Sequence, residues 1–195
     1  RHSTVGILGY GSIGRQVARL LNPFGGTILA VKRDVMHPED REYTREGMGD
    51  PRGDFFDRLY PFEALHSFLA SCDFVVVALP LTHETQHILN AEAFEAMKLS
   101  AYLVNVGRGG LVDENALIQA IKTKQIAGAA LDVFAQEPLS EDNPLWDLEN
   151  VLITPHISGL SQHLPQETLD FFIENLKRYL EDKPLYNLVD FKLGY

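Results

Sequence analysis

At 195 residues, 45% of them hydrophobic, the chain is long enough for one domain with a real core. Its formal net charge of −10, from 27 acidic against 17 basic residues, argues against the basic face that nonspecific binding to nucleic acid or an anionic membrane rewards. A single cysteine, Cys72, excludes an internal disulfide and fits a buried thiol in a reducing cytosol, and no apolar run approaches the roughly 18 residues of a membrane span.

Apolar periodicity and turn residues predict strand 4–8, helix 12–22, strand 27–31, helix 62–70, strand 74–79, helix 91–97 and strand 101–106. Helix 113–124, strand 126–132, strand 151–154 and a long helix near 165–181 follow. Such alternation implies an α/β protein with a doubly wound parallel sheet. In the first helix Ile13, Val17, Leu20 and Leu21 have the spacing that buries one face; in the last, Leu169, Phe172, Ile173, Leu176 and Leu180 make an apolar face that needs a partner. Residues 32–61, rich in charge, Gly and Pro, read as a surface excursion, and a second loop runs from Gln136 to Asn150.

Gly9, Gly11 and Gly14 in GYGSIG form GxGxxG directly after a strand and at the start of an amphipathic helix. Gly9 permits the tight turn, Gly11 lets the backbone approach a pyrophosphate, and Gly14 allows close helix-to-strand packing, while the helix N-terminus attracts the anion. In that context the motif predicts a Rossmann-type dinucleotide site, with Tyr10, Ser12 and Ile13 in its turn. The next strand, TILAV, ends in Lys32 and Arg33, where an acid would accept from the 2′-hydroxyl of NAD. Two cations there suit the 2′-phosphate of NADP, although Asp34 could move in as the ribose acid of NAD.

Three further segments lie just past apolar runs, where ligands of open α/β sheets bind. Arg108, between Gly107 and Gly109, can present its planar fork to a carboxylate. His156 follows the strand VLIT; a lone His there would be a turn residue, but a carboxylate from Glu137 beside it would orient the ring and favour a proton donor near neutral pH. Asp132, at a strand end, could accept from a nicotinamide carboxamide or cap the following turn.

These motifs, in this order, resemble the D-2-hydroxyacid dehydrogenase family over nearly the whole chain. GYGSIG, LPLTHET (79–85), LVNVGRGGLVDENAL (103–117), ALDVFAQEPL (130–139), TPHISG (154–159) and NLKRYLEDKPLYNLVD are similar to its signatures. The resemblance implies that Arg108 binds the 2-oxo acid, that His156 protonates its carbonyl oxygen, and that Glu137 supports His156. It implies that Asp132 orients the nicotinamide, that Leu79, Pro80 and Thr82 line the cofactor cleft, that Val106 and Gly107 pass the nicotinamide ribose, and that Gly159 borders the site. It also implies a homodimer through this domain.

Two departures matter. The family carries roughly a hundred residues of substrate domain before the dinucleotide domain, and this chain, opening at Arg1 without an initiator Met, looks like a fragment: residues 1–164 as the dinucleotide-binding domain, 165–195 as a helix and arm that cross to the other domain. Lys32 and Arg33 are more similar to the glyoxylate and hydroxypyruvate reductases that use NADP than to members that use NAD. The expectation is therefore a cytoplasmic oxidoreductase that reduces a small 2-oxo acid to a D-2-hydroxy acid with NADPH, NADH being the alternative cofactor. A formate or phosphite dehydrogenase is a weaker reading, since the formate enzymes resemble the motif with Gln in place of Glu137. A corepressor-like nucleotide sensor also keeps Arg, Glu and His, and turnover separates it. His83 to His87, HETQH, matches HExxH formally, but Pro80 and Thr82 put it on a loop, so no metal site is expected.

Overall fold

The computed structural model, which describes residues 2–40 and 42–192, follows the predicted alternation. In chain order the elements are β1 (Thr4–Leu8), α1 (Ser12–Leu21), β2 (Thr27–Val31), β3 (Arg58–Tyr60), α2 (Leu65–Ser71) and β4 (Phe74–Val77). They continue with α3 (Ala91–Ala96), β5 (Tyr102–Asn105), α4 (Glu114–Lys122), β6 (Gly128–Leu131), β7 (Val151–Ile153) and α5 (Leu164–Leu180). The seven strands among the described residues are all parallel, in the order β3-β2-β1-β4-β5-β6-β7. The chain reverses direction across the sheet between β1 and β4, and the crevice at the carboxyl ends of those two strands is where an open sheet of this kind holds ligands.

The larger core lies between the sheet and the packed row α2, α3 and α4, where Phe68, Leu69, Phe94, Leu103 and Leu117 are buried together with Cys72. Asn90 and Asp113 cap α3 and α4 by accepting from the N–H of Ala93 (3.0 Å) and Ala116 (3.1 Å), which fixes where both helices begin. A smaller cluster, Ile7, Tyr10, Ala18, Ile28 and Ala30, sits under α1.

Three expectations need correction. The excursion 32–61 is not all loop, because Arg58–Tyr60 pairs with β2 as the edge strand of the sheet. In α1 the buried residues are Gly14, Arg15 and Ala18, whereas Ile13 and Leu20 are exposed. The helix lies too close to the sheet for bulk on that stripe: a Cβ on Gly14 would stand 2.1 Å from the Gly9 carbonyl oxygen. Gly14 and Ala18 face the strands, Val17 and Leu21 pack against the same cluster as expected, and Ile13 and Leu20 turn to the rim. Helix bounds also shift by one to three residues, with Phe62–Ala64 forming a 3-10 turn before α2.

The apolar face of α5 has no buried residue, and Phe172 and Leu180 are exposed. Phe74, Tyr102 and Leu152 are exposed on the strands as well, although parallel sheets are normally covered on both faces. No helix among the described residues is long and apolar enough to cross a membrane.

Candidate functional site

The glycine turn sits at the end of β1, held by the Gly9 and Tyr10 N–H groups donating to the Val31 carbonyl at 3.2 and 3.1 Å. Gly9 has φ +105°, as the tight turn requires. Gly11 is the N-cap of α1; open space surrounds the position of its missing side chain, no side chain caps the helix, and no acid stands in its first turn. A bare, unneutralised N-terminus facing open space fits a pyrophosphate. The cleft above it, about 690 Å³, is lined by Ser12, Ile13, Lys32, Arg33, Leu79 and Pro80 among others. Thr82 stands beside it in the 82–85 turn, which the buried Thr85 hydroxyl closes by donating to the Pro80 carbonyl at 2.8 Å.

Lys32 donates from Nζ to the carbonyls of His37 and Glu39, and burial, followed by the charge of Arg15, pushes its pKa down. Arg33 reaches across the cleft mouth to Glu84, Nη2 to Oε2 at 3.3 Å. Asp34, the alternative ribose acid, pairs with His37 Nδ1 at 2.6 Å, a bond that lowers its pKa.

Arg108 projects from the turn after β5. Asn105 fixes that turn from both sides, its Oδ1 accepting from Gly107 N–H and its Nδ2 donating to the Arg108 carbonyl, each at 3.1 Å. Val106 continues β5 by donating to the Val77 carbonyl at 3.2 Å, which sets Gly107 beside Leu79. Gly109 lies flat against the backbone of Phe134 and Ala135, bringing the loop that carries Glu137 to the Arg108 turn.

Glu137 accepts from Phe134 N–H through Oε1 (3.0 Å) and meets His156 Nδ1 through Oε2 (2.7 Å). The bond to His156, then that to Phe134 and the charge of Arg108, hold its carboxyl below the ordinary value. The partnership leaves the other ring nitrogen, Nε2, for a ligand. His156 has φ +55°, a conformation that ordinary residues adopt only when their surroundings impose it. Asp132 imposes it. Only 3% exposed, it accepts from Thr154 Oγ1 (2.6 Å) and Ile157 N–H (2.9 Å) through Oδ1 and from Ser158 N–H (2.9 Å) through Oδ2. Burial alone would raise its pKa, but the Ser158 side chain, followed by the Thr154 hydroxyl and the two N–H groups, outweighs burial and lowers it. Of the two readings of Asp132, the turn cap is the one its contacts display. Gly159 follows, exposed.

A carboxyl whose folded pKa is depressed stabilises the fold above its unfolded pKa and loses that contribution as pH falls toward the folded value. Asp132→Asn should therefore cost about 1–3 kcal/mol near neutral pH, with the gap from wild type narrowing below about pH 4, the unfolded carboxyl value. Urea unfolding at pH 7 and pH 3 checks this; a gap independent of pH would assign the loss to packing.

The structure thus brings Arg108, Glu137 and His156 to one edge of the sheet. His83 and His87 lie in turns outside any helix, and no group of three or more His, Cys, Asp or Glu side chains among the described residues could hold a metal ion. Sequence reasoning missed Asn105, Thr154, Arg15 and Asp50. Asn105, a polar residue ending a buried strand just before GRG, was the one of these with a readable signal.

A family model for the D-isomer specific 2-hydroxyacid dehydrogenase NAD-binding domain matches residues 1–158. A glyoxylate reductase of Pyrococcus horikoshii is 38% identical over 173 residues, covering 89% of this chain and 47% of that protein. Glyoxylate/hydroxypyruvate reductase B of Cronobacter sakazakii is 38% identical over 189 residues, covering 97% of this chain and 54% of that protein. The crystal structure of a D-isomer specific 2-hydroxyacid dehydrogenase from Xanthobacter autotrophicus, in complex with NADPH and MES, superposes with a TM-score of 0.84 at 36% identity, over 99% of this chain and 73% of that one. The chain spans about half the length of the curated relatives it matches. With residues 1–158 matched, the chain belongs to the D-isomer specific 2-hydroxyacid dehydrogenase family and carries its NAD-binding domain.

Proposed function

We propose that the protein carrying this chain reduces a small 2-oxo acid of the glyoxylate or hydroxypyruvate type to a D-2-hydroxy acid, with NADPH preferred over NADH. The observation that carries the reading is the 2.7 Å contact between Glu137 and His156 on the same sheet edge as Arg108. Names of the relatives support the substrate class, and NADPH in the Xanthobacter autotrophicus structure supports the cofactor.

When bound, the nicotinamide cofactor supplies the hydride. Arg108 would align the substrate carboxylate through its fork and place the carbonyl beside His156. His156 would give its proton to the carbonyl oxygen from Nε2, and Glu137 would hold the ring and stabilise its charged form through Nδ1. Asp132 would maintain the turn that aims His156, through its bonds to Thr154, Ile157 and Ser158. Gly9, Gly11, Ser12 and Gly14 would receive the pyrophosphate, Lys32 and Arg33 the 2′-phosphate, and Leu79, Pro80, Thr82, Val106 and Gly107 would line the remaining cleft. Residues 1–164 would form the dinucleotide domain and 165–195 an arm reaching a substrate domain. The exposed apolar faces of α5 and of the sheet suit cover by that domain and by a second copy in a homodimer. The whole protein would work in the cytoplasm.

Calorimetric titration of the chain with NADPH and with NADH, followed by turnover of glyoxylate in the whole protein, tests the proposal. Failure to bind either nucleotide, or binding without turnover, would sink it. Lys32→Asp combined with Arg33→Ala should weaken NADPH by about 10- to 100-fold, the worth of one or two charge-assisted hydrogen bonds, and favour NADH. An unchanged preference would mean that the ribose is read elsewhere.

A further inference from the structure

Arg15, on the first turn of α1, is the largest fully buried side chain among the described residues, only 1% exposed. A buried guanidinium is costly unless paired, so its partners indicate its use. Its Nη1 donates to the Asp50 carbonyl and its Nη2 to the Pro38 carbonyl, both at 2.6 Å, and Nε lies 3.5 Å from Asp40 Oδ2. Its plane covers the ring of Tyr10 at 4.8 Å, and the Tyr10 hydroxyl donates to Asp50 Oδ2 at 2.6 Å. That carboxylate also accepts from the Asp54 and Phe55 N–H groups, at 2.7 and 3.0 Å, so the far side of the excursion is tied to the same knot.

The Pro38 carbonyl stands between those of His37 and Glu39, and both of these accept from Lys32 Nζ. Three consecutive carbonyls are thus divided between two cations, the middle one held by Arg15 and the outer two by Lys32. An ammonium has three donors; two hold the segment, and the third remains for the cleft that Lys32 lines. Where that third donor points depends on where the two carbonyls lie, and Arg15 fixes them.

We propose that Arg15 is a positioning residue for cofactor selection: by gripping the Pro38 and Asp50 carbonyls it presents those of His37 and Glu39 to Lys32 and so sets the ammonium that reads the 2′-phosphate. This rests on the reading of Lys32 as a selector of NADP. A planar fork that reaches two carbonyls is required, and lysine, a point charge on a flexible stem, does not supply it. A purely structural staple would support both nucleotides alike.

The test is calorimetric titration of the 195-residue chain with NADPH and with NADH, for wild type, Arg15→Met, Arg15→Lys, Lys32→Met and the doubles with Lys32→Met. Both Arg15 variants should weaken NADPH by about 10-fold and NADH by no more than about twofold, with no further loss of NADPH once Lys32 is Met, because the two residues act through one contact chain. Equal losses for both nucleotides, or a loss that persists without Lys32, would overturn the relay. Should Arg15→Met fail to fold, as read by circular dichroism, the charge-retaining Arg15→Lys decides by the same criteria. If Lys32→Met leaves NADPH binding unchanged, the NADP reading itself falls and takes the relay with it; if Lys32→Met weakens NADPH and the Arg15 variants do not, only the relay falls.

Discussion

Replacing His156 with alanine is expected to lower 2-oxo acid reduction in the whole protein by about 10²- to 10⁴-fold, the contribution of a positioned general acid, while NADPH affinity stays within about twofold. The separation follows from geometry. The imidazole is half-exposed and meets the protein through Glu137 at 2.7 Å, whereas the nucleotide turn is built on β1 and α1 at the other side of the switch point. Alanine keeps the Cβ and the main-chain bonds of the 154–158 turn, which Asp132 holds independently of the ring. The backbone should therefore retain its shape, including φ +55° at residue 156, although alanine accepts that conformation no more readily than histidine does. Glu137→Gln should be milder, because a neutral amide can still orient Nδ1–H but no longer stabilises the charged ring. Steady-state kinetics with glyoxylate, paired with nucleotide titration of each variant, reads both effects. Turnover that survives in His156→Ala would remove the acid assignment.

Much of this site was legible from local chemistry. Gly9, Gly11 and Gly14 belong to a strand-turn-helix context that one short segment displays, and Arg108, Glu137 and His156 each follow an apolar run that marks a strand end. Long-range polar pairing was not legible in the same way. Arg15 reads as an ordinary exposed residue in a helical pattern, because its burial depends on carbonyls 23 and 35 residues further along. For the same reason the strand Arg58–Tyr60 was hidden in a charged stretch: an edge strand of three residues, with one face on β2 and the rest near solvent, needs no apolar run. The exposure of Ile13 and Leu20 on α1 has a different cause. Periodicity reports where apolar side chains recur, but the distance between helix and strand decides which stripe can lie against the sheet, and Gly14 set that distance.

Gly109→Ala carries the same logic into the candidate site, with a larger expected effect than its size suggests. A Cβ at residue 109 would stand 1.9 Å from both the carbonyl carbon and oxygen of Phe134 and 2.5 Å from the Ala135 nitrogen. Those neighbours are backbone, so no side-chain rotation clears the space, and the 134–135 segment has to move. Its displacement acts directly on the dyad, because Phe134 N–H donates to Glu137 Oε1 and the other oxygen of that carboxylate holds His156. A strain of about 1–3 kcal/mol is expected in thermal or urea unfolding, the usual range for overpacking. The loss of turnover should match or exceed that of Glu137→Gln. Nucleotide binding at the glycine turn, built from other strands, should change little, which distinguishes a displaced dyad from general unfolding. The ring-nitrogen NMR shifts of His156 in wild type and variant would locate the effect, since a carboxylate withdrawn from Nδ1 removes the hydrogen bond made there. Wild-type turnover in Gly109→Ala would mean that the 134–137 loop can shift without carrying Glu137 away from the ring, and that the contact between the two loops sets stability alone.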